Sequence, residues 1–187
     1  IGGYTAAIRA ARLGGQITLV EQAEIGGTCL NWGCIPFKLL LQSASVASTV
    51  NKAKEFGIKT GPPEVDYAAL ISRKNQVVAE LRKGVQSLVK AKRIRLVVGS
   101  AELFDGNRVE VTSKKNATAS VEEIQSDRVI IATGSKSSSI PIPGLDKVKA
   151  QNSDDFLNSR TMPSSTIIIG GGVIGVELAQ ILNGLGG

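Results

Sequence analysis

Thr166-Ile167-Ile168-Ile169-Gly170-Gly171-Gly172-Val173-Ile174-Gly175 is the stretch on which the fold turns: a β-branched run passing directly into G-x-G-x-x-G, with an apolar segment behind it. Strand, glycine turn and helix in that order make a dinucleotide-binding unit. The glycines permit a tight turn and let backbone N–H groups approach a pyrophosphate, whose charge then rests on the helix N-terminus. Gly170, Gly172, Val173, Ile174 and Gly175 are therefore candidate cofactor residues. The other reading of the same residues is a glycine-rich turn without a ligand. The acid that reads the ribose hydroxyl belongs about 20 residues further on, beyond Gly187, so NAD and NADP are not distinguished here.

A second, partial copy stands at the other end. If Gly3 is the last glycine of the same fingerprint, its first two glycines and their strand precede Ile1. The alanine-rich segment from Tyr4 to Leu13 reads as the helix, Gln16 to Val20 as a buried strand, and Glu21 as the ribose acid, 18 positions after Gly3. A surface Glu after an ordinary strand is the plainer reading. Two fingerprints imply two nucleotides, one for each of two linked folds.

Between these ends, Lys38 to Val50 has helical composition. From Asp66 to about Arg93, behind Pro62-Pro63, apolar residues from Tyr67 to Val89 recur at steps of three and four, which predicts a long amphipathic helix. Ile94 to Val98 reads as a strand, Asp105-Gly106 as a hairpin turn between short alternating runs, and Val121 to Gln125 as a further strand. Arg128 to Ala132 is a predicted buried strand stopped by Thr133-Gly134-Ser135, and Lys136 to Pro163, rich in Ser and Pro, is the predicted connector. Strands and helices in this order give an α/β fold: a parallel sheet with helices on its faces and an added hairpin or meander. The expected division is 1–163 and 164–187, the latter being the first β-α unit of a second Rossmann-like domain. The start at Ile1 and the end at Gly187 are read as cuts within a longer protein.

Composition narrows the chemistry. Glycine is 21 of 187 residues and aromatics are 4%, so turns and close backbone approach are favoured over aromatic packing. Histidine is absent, which removes the commonest general base and metal ligand, and two cysteines cannot make a four-ligand zinc site alone. No metal site is expected. The net charge of +6 is scattered on helices and loops without interleaved aromatics, so no nucleic-acid partner is expected, and no apolar run is long enough for a membrane span. Two cysteines are too few for a disulfide-stapled secreted scaffold, and no signal segment opens the chain; the expected compartment is intracellular.

Those two cysteines lie in Gly26-Gly27-Thr28-Cys29-Leu30-Asn31-Trp32-Gly33-Cys34-Ile35-Pro36-Phe37-Lys38. With four residues between them they can bridge across one distorted helical turn, and a helix N-terminus favours thiolate attack; they can equally be two buried apolar thiols. The segment resembles the redox-disulfide motif of the flavin-dependent pyridine nucleotide–disulfide oxidoreductases. Gly2 to Ala11, Val97 to Ala101, Ile131 to Ser135 and Ile169 to Ala179 are similar to that family in the same order, so the resemblance covers nearly the whole chain.

The resemblance implies a Rossmann-like FAD-binding domain over 1–163 and the opening of an NAD-binding domain over 164–187. It implies that Gly3 and Glu21 hold the pyrophosphate and adenosine ribose of FAD. Gly27 and Thr28 would contact the same cofactor, Gly99, Ser100 and Ala101 would lie by the adenine, and Thr133, Gly134 and Ser135 would line the flavin. Cys34 would be the sulfur nearest the flavin, forming a charge-transfer thiolate, and Cys29 the outer sulfur that exchanges with substrate. Lys38 and Glu177 would pair beside the reactive flavin nitrogen; without the resemblance they read as a solvated helix charge and a first-turn acid.

Within the family, Trp32 between the cysteines is similar to the branch that oxidises a dihydrolipoyl group, carried on an acyltransferase or a glycine-cleavage carrier protein, with NAD as acceptor. Mercuric and glutathione-type reductases usually have Val there and are the alternative, as is a non-catalytic nucleotide-binding module. The family also implies a homodimer whose C-terminal domain supplies a His-Glu base, and a bacterial cytoplasm or mitochondrial matrix. Phe37 departs from the family, which usually has Ser or Thr there; a ring at that position is expected to shift the helix or crowd the flavin.

Overall fold

A computed structural model describes residues 1–115, 118–138 and 140–186. The chain forms two compact units, one of Ile1–Asn31 with Glu80–Ser135, the other of Trp32–Ala79 with the chain from Lys136 onward.

The first unit opens with helix α1 (Gly2–Arg12) and strand β1 (Thr18–Glu21), followed by a short helix α2 (Gly27–Asn31). Residues 80–91 belong to the long helix α4 (Tyr67–Ala91), which leads through Arg93, in the left-handed region at φ 55°, into strand β2 (Arg95–Val98). β1 and β2 are parallel, with Leu19 opposite Leu96 and Glu21 opposite Val98. The crossover between them contains helices, as is usual for a parallel pair. β3 (Ser100–Leu103), β4 (Arg108–Lys115) and β5 (Thr118–Gln125) form an antiparallel meander. Asp105 sets its first turn by accepting from the backbone N–H groups of Asn107 (3.2 Å) and Arg108 (2.9 Å). The fold is α/β, with a parallel pair and an antiparallel meander.

The second unit packs helices α3 (Cys34–Asn51), residues 67–79 of α4, α5 (Ser153–Asn158) and α6 (Val173–Leu185) around one core. Phe37, Leu40 and Ala44 meet Tyr67 and Ile71, Phe156 and Leu157, and Ile181, Leu182 and Leu185. A Cβ on Gly184 would come within 2.8 Å of the Ala44 Cβ, so α3 and α6 approach as closely as their small residues allow. α5 lies in the segment predicted to be connector; it is held by a capping box in which Asn152 caps Asp155 and Asp155 caps Asn152 in return.

Two sequence expectations are corrected. Arg128–Ala132 and Thr166–Ile169 are not strands: Ile131 is 71% and Ile167 92% exposed, and neither segment is paired in a sheet. A run of β-branched residues becomes a central parallel strand only through neighbours that take its ladder hydrogen bonds, and β1 and β2 pair with each other alone among the described elements. Helix α6, expected behind the second run, is present.

Candidate functional site

In the first unit the candidate flavin residues converge on the start of α1 and the C-terminal ends of β1 and β2. A Cβ on Gly3 would meet Ala132 Cβ at 3.4 Å and Leu19 Cδ1 at 3.8 Å, whereas Gly2 beside it faces open space. The turn into α2 takes left-handed backbone at Gly26 (φ 122°) and Gly27 (φ 73°), and any side chain on Gly27 would collide with the backbone nitrogen of Ile1. The structure thus brings Gly27 against the start of α1 and Ala132 against Gly3. Thr133, Gly134 (φ 75°) and Ser135 follow, all exposed.

Glu21 closes β1. Its carboxylate accepts from the Ala23 N–H (2.9 Å) and its carbonyl from the Gly99 N–H (2.9 Å), which joins the expected ribose acid to the expected adenine loop. Gly99 has no room for a side chain: a Cβ would lie 2.7 Å from the Thr112 carbonyl oxygen. Ser100 and Ala101 continue from it into β3 with exposed side chains. Thr28 and half-buried Cys29 lie on α2.

The second unit carries the other half of the expected chemistry. Exposed Cys34 is the first residue of α3, where the N–H groups of a helix point outward without intrahelical partners. Lys38, one turn further, is paired with Glu177 on the first turns of α6, across 139 positions of sequence. The fingerprint ahead of α6 has three differently used glycines. Gly170 is left-handed (φ 110°) and makes the turn; Gly172 has nothing within 4 Å of where a Cβ would stand; a side chain on Gly175 would collide with the Gly170 carbonyl oxygen. Tight turn, open approach and close packing are the three demands of a pyrophosphate loop. Val173 and Ile174 begin α6 and are exposed. A cleft of about 600 Å³ lined by Val50, Lys54, Ile58 and Lys59 contains none of these residues.

The Phe37 ring is 2% exposed and lies in the core shared by α3, α4, α5 and α6.

The family model for pyridine nucleotide-disulphide oxidoreductases matches residues 1–187. The chain belongs to that family. As a member of the pyridine nucleotide-disulphide oxidoreductases it is 41% identical over 190 residues to the dihydrolipoyl dehydrogenase of Acholeplasma laidlawii, covering 99% of this chain and 54% of the relative. It is 39% identical over 186 residues to that of Bacillus subtilis (98% and 40%), and 36% identical to the mitochondrial enzyme of Dictyostelium discoideum (99% and 38%). Among solved structures, the Cu(II) complex of the HOCl-induced flavoprotein disulfide reductase RclA from Escherichia coli superposes with a TM-score of 0.79 at 30% identity, covering 99% of this chain and 38% of that one. The chain spans about half or less of the length of these relatives.

Two cations on α4 stand outside every motif of the sequence. Arg82 and Lys74 lie on the same stripe of α4 as Tyr67, Ile71, Val78, Val85 and Val89, at steps of three and four. A charged residue on an apolar stripe is itself a signal, because it must find partners there. Arg82 finds Asn31 and Glu24; buried Lys74 donates to the Leu157 carbonyl at the end of α5, and burial holds its pKa below the usual lysine value.

Proposed function

We propose that this chain is the first part of a dihydrolipoamide dehydrogenase, which oxidises a dihydrolipoyl group on a carrier protein with NAD⁺ as final acceptor, through a Cys29–Cys34 disulfide and FAD. The observation that carries this reading is the Lys38–Glu177 pair, which ties the helix opened by Cys34 to the helix opened by the G-x-G-x-x-G fingerprint. The similarity to dihydrolipoyl dehydrogenases along 99% of the chain supports this substrate class.

The residues present fit the two nucleotides the family uses. Gly2 leaves space at the start of α1, Glu21 stands at the end of β1, and Gly172 leaves space ahead of α6. In this reading Gly3, Glu21, Gly27, Thr28, Gly99 to Ala101 and Thr133 to Ser135 hold FAD, and Gly170 to Gly175 hold NAD⁺. Residues 1–163 are then the flavin domain and 164–187 the opening of the nicotinamide domain, although α3 and α6, from either side of that division, share a core.

A dihydrolipoyl thiolate attacks Cys29 Sγ, forming a mixed disulfide and releasing Cys34 as thiolate. The second dihydrolipoyl thiol then attacks the lipoyl sulfur of that mixed disulfide, closing the lipoyl disulfide and freeing Cys29, so one disulfide has been reduced and one formed. Placement of Cys34 at the first position of α3 puts its thiolate beside outward-pointing N–H groups. When bound, the flavin and the nicotinamide supply a path for the two electrons from the reduced cysteine pair. Lys38 is kept in place by Glu177. The whole protein is expected to act as a homodimer, with the base that takes the dihydrolipoyl proton in its remaining length.

The test is NAD⁺-dependent oxidation of dihydrolipoamide by the full-length protein, beside reduction of glutathione disulfide and of mercuric ion by NADPH. Turnover of dihydrolipoamide at least about a hundredfold above the other two is expected, the discrimination that a few kcal/mol of selective binding confers. Brisk reduction of either competitor without dihydrolipoamide turnover would sink the proposal.

A further inference from the structure

We infer that Arg82 is a positioning residue for Cys29: from the stripe of α4 it locks Asn31 and Glu24 together, and with them the short helix that carries this cysteine. The clamp is read from geometry alone; its service in disulfide exchange rests on the function proposed above.

Asn31 is the last residue of α2, two positions after Cys29. Its Nδ2 donates to three backbone carbonyls, those of Glu24 (3.1 Å), Ile25 (3.2 Å) and Gly27 (3.1 Å). Its Oδ1 accepts from Arg82 Nε at 3.0 Å, and Arg82 Nη1 reaches the Glu24 carboxylate at 3.0 Å. The orientation of the amide follows from chemistry: carbonyls demand a donor and a guanidinium an acceptor, so neither end can be exchanged. Arg82 and Asn31 therefore close a ring through residue 24. The segment inside it, with left-handed glycines at 26 and 27, has little regular backbone structure of its own.

A five-residue helix is not self-supporting, since nucleation costs more than its few hydrogen bonds return. α2 must be held by side chains, and Asn31 is the one that binds three of the carbonyls leading into it. An exposed ion pair would contribute little, but the Arg82 side chain is only 26% exposed and bonds two different acceptors with one planar group. Lysine has donors enough for both acceptors but no planar fork to fix them relative to one another, because its ammonium is a single point at the end of a flexible stem.

The experiment uses the full-length protein that carries this chain, in wild-type, Arg82→Ala and Arg82→Lys forms, reduced and then treated with iodoacetamide. Peptide mass spectrometry follows alkylation of Cys29 and Cys34 separately. In Arg82→Ala the ratio of Cys29 to Cys34 labelling rates should rise about tenfold, commensurate with the loss of a charge-assisted hydrogen bond. Arg82→Lys should shift the ratio in the same direction by less, and it carries the test if the alanine variant does not fold. An unchanged ratio in both folded variants, or equal acceleration of both cysteines, overturns the clamp.

This readout needs no substrate, so it decides the clamp even if the wild-type protein fails to oxidise dihydrolipoamide, an outcome that defeats only the proposed function. Where wild type is active, kcat with dihydrolipoamide should fall about tenfold in Arg82→Ala, in step with the labelling ratio. A shifted ratio with wild-type kcat overturns the positioning role.

Discussion

Phe37 occupies a motif position where a small hydroxyl residue is usual, and its environment explains how a ring is accommodated. It is a core residue of the second unit, with Leu40 and Ala44 on its own helix and Ile181 and Leu182 on α6. Phe37→Ala should destabilise the protein by about 3–5 kcal/mol, read by urea denaturation, as deletion of a buried ring does. A loss below about 1 kcal/mol would mean that the ring is not packed as described. Lys74 gives a second prediction at this scale. Burial lowers its folded pKa below the ordinary value near 10.5, so the unfolded chain binds more protons and stability rises with pH up to that value. Above about pH 10 the buried Tyr67 phenol, whose pKa burial raises, works in the opposite direction. Lys74→Met should flatten the rise below pH 10.5 and leave the Leu157 carbonyl without its donor, making the variant about 1–3 kcal/mol less stable at pH 10, with the gap narrowing as pH falls. Chemical denaturation at several pH values measures this; parallel curves would contradict it.

At the scale of elements, what could be read from sequence depended on whether local pattern or distant neighbours decide the outcome. The stripe from Tyr67 to Val89 specifies α4 by its own periodicity, and Asp105-Gly106 specifies the meander turn through side-chain bonds two and three residues away. Thr166–Ile169 is as apolar as any strand, yet its conformation depends on ladders that other segments must supply. The candidate site divides in the same way. Glycine spacing pointed to a tight turn and an open approach, which Gly170 and Gly172 display, but not to the close packing at Gly175, and the Arg82–Asn31–Glu24 ring joins segments 51 positions apart and leaves no local trace beyond a cation on an apolar stripe. α5 has little sequence signal although Asn152 and Asp155 stand at capping-box spacing, because it is only six residues long and set among Ser and Pro. The meander offers a prediction of its own. Glu110 on β4 stands directly opposite Glu102 on β3 and Glu123 on β5, so three like charges cross one face of the sheet. Glu110→Thr should therefore stabilise the protein by about 0.2–1 kcal/mol at low ionic strength. Most of that gain should vanish in about 1 M NaCl, where the Debye length is about 3 Å. A gain that survives salt would assign the effect to strand propensity.

Across the whole molecule, apolar side chains are unevenly covered. Phe37, Leu40, Val111 and Ile181 are all but inaccessible, while Ile130, Ile131, Ile167 and Ile169 are between 59% and 92% exposed. The exposed residues fall in two β-branched runs that no described strand pairs with, and the chain covers 38–54% of the relatives' length. Such runs are stable in water only as members of a sheet, since the backbone groups between their side chains need partners once the side chains are buried. The same residues should therefore differ in protection between the 187-residue chain and a longer protein that contains it. In the chain alone, amides of 128–132 and 166–169 should exchange with deuterium near the rate of an unfolded peptide, while those of 37–47 and 176–182 exchange through larger openings. In the longer protein the two runs should become protected by about a hundredfold or more, which corresponds to ~2.7 kcal/mol of opening free energy, with little change in α3 and α6. Equal, fast exchange of both runs in the two proteins would show that their exposure belongs to the folded family member itself. Slow exchange in the 187-residue chain alone would show that a sheet forms without additional length.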